Sequence, residues 1–164
     1  MEVEDQVAGL QYIADKTGLV DMNRIGITGW SYGGYMSLMC LALRPDVFKV
    51  AVSGAPVTLW FNYDTGYTER YLGLVEGEGE TYFASSVIDL VSKFPDESGH
   101  LLIAHGTDDD NVFLQHSHIL TSALAKAGKP YQLQTYPGEK HGIHSHSNIK
   151  HLDATVLSFL LHNL

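Results

Sequence analysis

Apolar positions change period from segment to segment, and the changes mark out the elements. Val3, Val7, Leu10, Ile13 and Ala14 recur at helical spacing with Gly18 as a stop, which predicts an opening helix. "RIGIT" (24–28) reads as a short strand, and residues 32–43 read as a helix with Pro45 just past its end. "FKVAVSG" (48–54) is a second, valine-rich strand. Residues 57–73 hold many aromatics and no clean period, and "LVEGEGETY" (74–82) reads as an exposed, acidic, flexible loop. "SVIDLVSKF" (86–94) looks helical. "HLLIAHG" (100–106) is a continuous apolar strand of the kind buried on both faces. A helix is expected from about Val112 to Ala127, closed by Gly128, and "YQLQTY" (131–136) alternates like a strand near a sheet edge. The last helix places Leu152, Val156, Phe159, Leu160 and Leu164 on one stripe.

Strand and helix therefore alternate four times, the pattern of a parallel sheet with right-handed crossovers. In such sheets chemistry gathers at the carboxyl ends of the strands. Composition narrows the field of partners. The 164 residues are 45% hydrophobic and 18% charged, enough for one domain with a core. A net charge of −9 argues against a nucleic-acid surface, and no apolar run reaches membrane-spanning length. Cys40 is the one cysteine and cannot form an internal disulfide; in its apolar helical stretch it reads as a buried, inert thiol. That cysteine usage, with no N-x-[ST] sequon, leans towards a reducing, cytoplasmic setting.

The first strand runs into "ITGWSYGGYM" (27–36), where Ser31 sits between Gly29 and Gly33. G-x-S-x-G alone also fits a plain turn, but strand, tight turn and helix together are the setting of a nucleophile elbow. There a helix start favours developing negative charge, and the Tyr32 N–H can donate to an oxyanion. "HGTDDDNV" follows the third strand with Asp108, Asp109 and Asp110, and "PGEKHGIHSH" follows the fourth with His141. Serine, aspartate, histidine at successive strand ends is the α/β-hydrolase order. His141 would take the serine proton and later protonate the leaving amine, and an aspartate would fix its tautomer. The spacing alone leaves the choice of aspartate open, with Asp110 also placed to cap the following helix. His144, His146 and His151 crowd near His141. No cysteine pair or H-E-x-x-H accompanies them, so neither a metal nor a cofactor is expected. His105 is expected to pack at its strand end rather than react.

"GWSYGGYMSLM", "GAPVTLWFNYDTGYTERYLG", "LLIAHGTDDDNV" and "YPGEKHGI" resemble the catalytic domain of the prolyl oligopeptidase clan, dipeptidyl peptidase IV subfamily. "YDTGYTERY" and "AGKPYQLQTYP" look most like its branch of dipeptidyl peptidases 8 and 9, and the likeness runs along essentially the whole chain. The resemblance implies Ser31 as nucleophile, His141 as base and Asp109 as the orienting acid, since the family's "HGTADDNV" uses the first of its two adjacent aspartates. Asp108 departs from the small or apolar residue found there. The resemblance further implies that Tyr32 supplies an oxyanion N–H and that Asn111 holds a substrate backbone carbonyl. It assigns Val57, Trp60, Tyr63, Tyr67 and Val112 to the specificity pocket. A compact apolar slot walled by flat rings suits a proline or alanine side chain and excludes larger ones by contact.

The same resemblance implies a serine peptidase that releases Xaa-Pro or Xaa-Ala dipeptides from peptide N-termini, and a homodimer using the helix after Asn111 and the final helix. It also points to parts not found in these residues: a β-propeller that grips the substrate's amino terminus, an upstream tyrosine that completes the oxyanion hole, and the first strands of the sheet. The chain thus reads as the C-terminal half of an α/β-hydrolase fold, a partial catalytic domain over 1–164, expected to be inactive alone. Two other readings stand beside it: a non-catalytic fragment that only binds and oligomerises, and another hydrolase of this fold such as an acyl-peptide hydrolase or esterase.

Overall fold

A computed structural model describes residues 2–164 of the chain. Its frame is a sheet of strands β1 (Ile25–Trp30), β2 (Phe48–Gly54), β3 (Leu101–Gly106) and β4 (Gln132–Tyr136), all parallel and in that order. β1 and β4 form the edges, so Ser31 follows an edge strand. Helix α1 (Glu2–Thr17) precedes the sheet, α2 (Tyr32–Leu43) joins β1 to β2, and α5 (Gln115–Lys126) joins β3 to β4. The β2–β3 connection holds α3 (Thr65–Leu72) and α4 (Val75–Ala84), and α6 (His146–Asn163) closes the chain.

β3 is buried throughout, and β2 at every position but Lys49, because both their faces are covered. Alternate residues serve opposite layers. Ala51, Leu101 and Ile103 face the large core with Leu38, Leu41 and Leu120, while Val50, Val52 and Leu102 meet Phe159 of α6. Val156, Leu160 and Leu164 pack beside Phe159, so the apolar stripe of the last helix faces the sheet. Burying each such valine, leucine or isoleucine stabilises the fold by about 1.5–3 kcal/mol. The sheet is therefore a firm base for the loops at its carboxyl end.

Three segments depart from the sequence expectation. Residues 75–84 form α4 rather than a loop. The acidic turn stays exposed and bends at Glu78, but Tyr82 is buried at 1% exposure and its ring meets Phe61, which holds the helix down. Residues 87–93 wind as a 3₁₀ helix, not an α-helix. Val87, Leu90 and Val91 are its buried positions, Phe94 follows buried at its end, and so short a segment before Pro95 can take the tighter winding. α5 starts at Gln115, later than Val112, because the preceding turn is taken up by Asp109. Asp110 does not cap that helix. In the aromatic stretch without a clean period, Asp64 caps α3 by accepting from the Tyr67 N–H.

Candidate active site

Ser31 lies between the end of β1 and the start of α2, with φ 61° and ψ −119°. A non-glycine residue there stores roughly 1–3 kcal/mol of strain. Bonds on both sides hold it: its N–H donates to the Gly54 carbonyl at 2.8 Å, and its carbonyl accepts from the Tyr35 N–H at 3.0 Å. The turn also needs glycine neighbours. A Cβ on Gly29 would run into the Gly33 carbonyl, and one on Gly34 into the Gly54 carbonyl. The Ser31 hydroxyl makes no capping bond to its own helix. Tyr32 opens that helix, where the first N–H groups have no acceptor within it.

The three aspartates part company in space. Asp109 is fully buried, and Oδ1 accepts from the Asn111 and Val112 N–H groups, each at 3.0 Å. Its Oδ2 lies 2.9 Å from His141 Nδ1. Asp108 is exposed and takes the Thr107 hydroxyl at 2.7 Å. Asp110 pairs with Lys140 at 2.7 Å on the surface, and that ammonium holds its carboxyl below the usual range. Of the three, Asp109 is the one bonded to His141.

His141 sits in the loop after β4, which is bound into the site from several sides. Trp30, the residue before Ser31, donates from Nε1 to the His141 carbonyl at 2.6 Å. The Asp108 N–H donates to the Glu139 carbonyl at 2.9 Å, joining the acid and base loops. Glu139 is buried and accepts from the N–H groups of His144 and Ser145 and from the Asn148 amide, which pull its carboxyl down to about 2. The structure thus brings Asp109 and His141 into contact and ties His141 to the residue beside Ser31. Among the described residues it draws no hydrogen bond from Ser31 Oγ to His141. Such bonds are often long before substrate arrives. His144 and His151 serve the loop and α6, His151 with its Nδ1 near the Tyr136 hydroxyl, and no cluster able to hold a metal occurs among the described residues.

A cavity of about 500 Å³ opens beside the elbow, lined by Tyr32, Trp60 and Tyr67 and also by Tyr35, Tyr71 and Glu2. It is larger than a compact slot because those further residues extend its walls. Trp60 and Tyr67 stack at 6.0 Å with an interplanar angle of 9°, and Tyr63 meets both rings edge-on. Tyr63 and Asn111 line a neighbouring hollow, and the Tyr63 hydroxyl donates to Asn111 Oδ1 at 2.9 Å. Val57 and Val112 do not line the cavity; they are buried in the core, at 2% and 0% exposure. The segment after β2 is pinned from behind by buried His116. Its Nδ1 accepts from the Thr58 N–H at 3.1 Å, its Nε2 lies 3.3 Å from the Asn62 carbonyl, and burial lowers its pKa to about 4.

Sequence reasoning had no role for Trp30, Glu139 or His116, and it read His105 as packing alone. For the two histidines a signal existed, since a buried imidazole must find hydrogen-bond partners. For Trp30 and Glu139 the partners lie on loops whose approach only the fold reveals.

The prolyl oligopeptidase family matches residues 1–164. The chain is 50% identical to human dipeptidyl peptidase 8 over 164 residues, covering all of this chain and 18% of that protein. It is 41% identical to dipeptidyl peptidase 4 of Bos taurus over 161 residues, 97% of this chain and 21% of that one. The crystal structure of Porphyromonas gingivalis dipeptidyl peptidase 4 superposes with a TM-score of 0.90 at 38% identity, covering 99% of this chain and 23% of its own. The sheet and its helices are thus an α/β-hydrolase fold. The chain spans about a fifth of the length of these relatives.

Proposed function

The chain belongs to the prolyl oligopeptidase family, and from that premise we propose that it carries the catalytic triad of a serine dipeptidyl peptidase: Ser31 as nucleophile, His141 as base and Asp109 as orienting acid. The observation that carries the reading is the buried Asp109 carboxylate 2.9 Å from His141 Nδ1, on a loop anchored by Trp30 beside the elbow. Ser31 Oγ attacks the scissile carbonyl carbon as His141 Nε2 takes its proton. The oxyanion meets the Tyr32 N–H. Collapse breaks the C–N bond, His141 returns the proton to the leaving amine, and water, activated by the same histidine, hydrolyses the acyl-enzyme.

Substrates on this reading are peptides with proline or alanine second from the N-terminus. The rings of Trp60, Tyr63 and Tyr67 pack that side chain, and Asn111, oriented by Tyr63, holds a backbone carbonyl. Val57 and Val112 act from behind, as backing for the wall. Measurement of two residues from the amino terminus belongs to parts outside the chain, so these 164 residues alone turn over no Xaa-Pro substrate at a useful rate. In the complete peptidase two copies pair through this region. With the stripe of α6 turned to the sheet, its exposed Ile149, Leu157 and Leu161 are left for a partner.

The test is a chimera in which the matching 164 residues of human dipeptidyl peptidase 8 are replaced by this chain. It should hydrolyse a glycyl-prolyl fluorogenic amide, and its Ser31→Ala form should not. A soluble, folded chimera that cleaves only simple esters would overturn the peptidase reading.

A further inference from the structure

Behind the triad lies a second histidine that the mechanism above does not use. His105, the penultimate residue of β3, is completely buried. Its Nδ1 is 2.7 Å from Ser117 Oγ on α5. Its Nε2 is 2.8 Å from the Val112 carbonyl and 3.1 Å from Asp109 Oδ2, the same oxygen that meets His141. A carbonyl only accepts, so Nε2 carries the proton and Nδ1 accepts from the Ser117 hydroxyl. We propose that His105 is a positioning residue for the proposed triad: its Nε2–H, shared between Val112 and Asp109, fixes the edge of the carboxylate that His141 uses.

The accounting favours this over plain packing. A carboxylate has two oxygens, each able to take two bonds, and Asp109 has two donors on each. Oδ1 is filled by two backbone N–H groups in its own turn. Oδ2 is filled by one imidazole on each side, from β3 and from the loop after β4. Remove His105 and Oδ2 keeps His141 alone, so the carboxylate is free to tilt towards its backbone donors. The imidazole is suited to this place only while neutral, and burial disfavours its charged form. The Val112 carbonyl sets the tautomer, and the fully buried Ser117 hydroxyl satisfies Nδ1. The groups facing His105 are Asp109, Val112 and Ser117, with the charges of His141 and Asp109 nearest.

The proposal rests on the triad reading and is tested on the full chain by two readouts that do not require turnover. One is the rate of Ser31 labelling by a fluorophosphonate; the other is the low-field NMR resonance of the His141 Nδ1 proton. Three replacements separate donor from filler. In His105→Gln the side-chain amide reaches the Nε2 position and can donate to Asp109. In His105→Asn it stops near the Nδ1 position and cannot, and His105→Leu has no donor. The loss of one hydrogen bond to a charged group predicts labelling slowed about 10- to 100-fold in the Asn and Leu variants, with the low-field resonance lost or moved upfield. The Gln variant should keep both. If Asn and Leu label like the parent and keep the resonance in place, or if Gln fails as they do, His105 is packing only. If Leu does not fold, the Gln–Asn pair decides. Failure of the triad reading looks different: the unaltered chain would then label elsewhere and show no low-field proton.

Discussion

Around Asp109 both carboxylate oxygens are committed, to His141, His105 and two backbone N–H groups at 2.9–3.1 Å. Around Tyr67, a few residues away in space, the contacts are ring faces and edges at 4.9–6.0 Å from Trp60, Tyr63 and Tyr71, and the ring is 36% exposed. Proton transfer depends on direction, so the chemical side of the cleft is held by bonds with direction. Recognition of a small apolar ring depends on shape, so the other side is held by stacking, which tolerates small shifts. The difference predicts how each side fails. The chemical side should lose rate with binding kept, and the aromatic side should lose binding with rate kept.

The largest effect should come from Asp109→Asn in the chimera. The amide would favour the wrong imidazole tautomer, and kcat should fall about 10⁴-fold. Asp108→Asn and Asp110→Asn should stay near the parent, because the first is solvated and the second makes only a surface pair with Lys140. Steady-state kinetics on the three variants decides, and a larger loss at Asp108 would break the comparison.

Acid should act next, through a buried directional fixture behind the aromatic side. His116 has a pKa of about 4 in the fold against an ordinary 6.5, chiefly from burial. The unfolded chain binds the proton more readily, so this histidine's contribution is full above pH 6.5, declines as pH falls and is gone below about 4. The whole contribution is about 3 kcal/mol. His105, lowered in the same sense, adds to it. Urea midpoints from pH 7.5 to 4.5 should fall, and less steeply in His116→Gln. Equal slopes would remove His116 from the account.

Tyr67→Ala should raise KM about tenfold with kcat within about threefold, because the stack on Trp60 goes and the triad stays. Trp30→Phe should do the converse and slightly less. The ring remains, the donor to the His141 carbonyl goes, and kcat should fall about fivefold to tenfold at unchanged KM. If both variants changed KM and kcat together, the two sides would not be separable.

The sequence made the sheet readable because β2 and β3 are predominantly apolar runs ended by Gly54 and Gly106. The elbow was readable from Gly29, Ser31 and Gly33 between a strand and a helix. Where packing overrides local pattern the reading failed. α4 is held by Tyr82 despite two glycines, and residues 87–93 bury Val87, Leu90 and Val91 at a spacing that an α-helix also uses, so the apolar pattern could not separate the two kinds of helix. Asp109 could be told from its neighbours only by likeness to a family, since three adjacent carboxylates carry no local sign of which will be buried. Val57 and Val112 show the opposite limit: residues matched to a pocket stand one layer behind it.

The central claim is that Ser31 is made nucleophilic by His141 oriented on Asp109. Its most direct measurement is peptide mapping of the fluorophosphonate adduct on the full chain, beside His141→Gln and Asp109→Asn. The account predicts one adduct, on Ser31, forming at least about a hundredfold more slowly in either variant, a bound set well inside the ~10⁴-fold losses of triad removal. An adduct on another residue, or Ser31 labelling at the parent rate without His141, would contradict it.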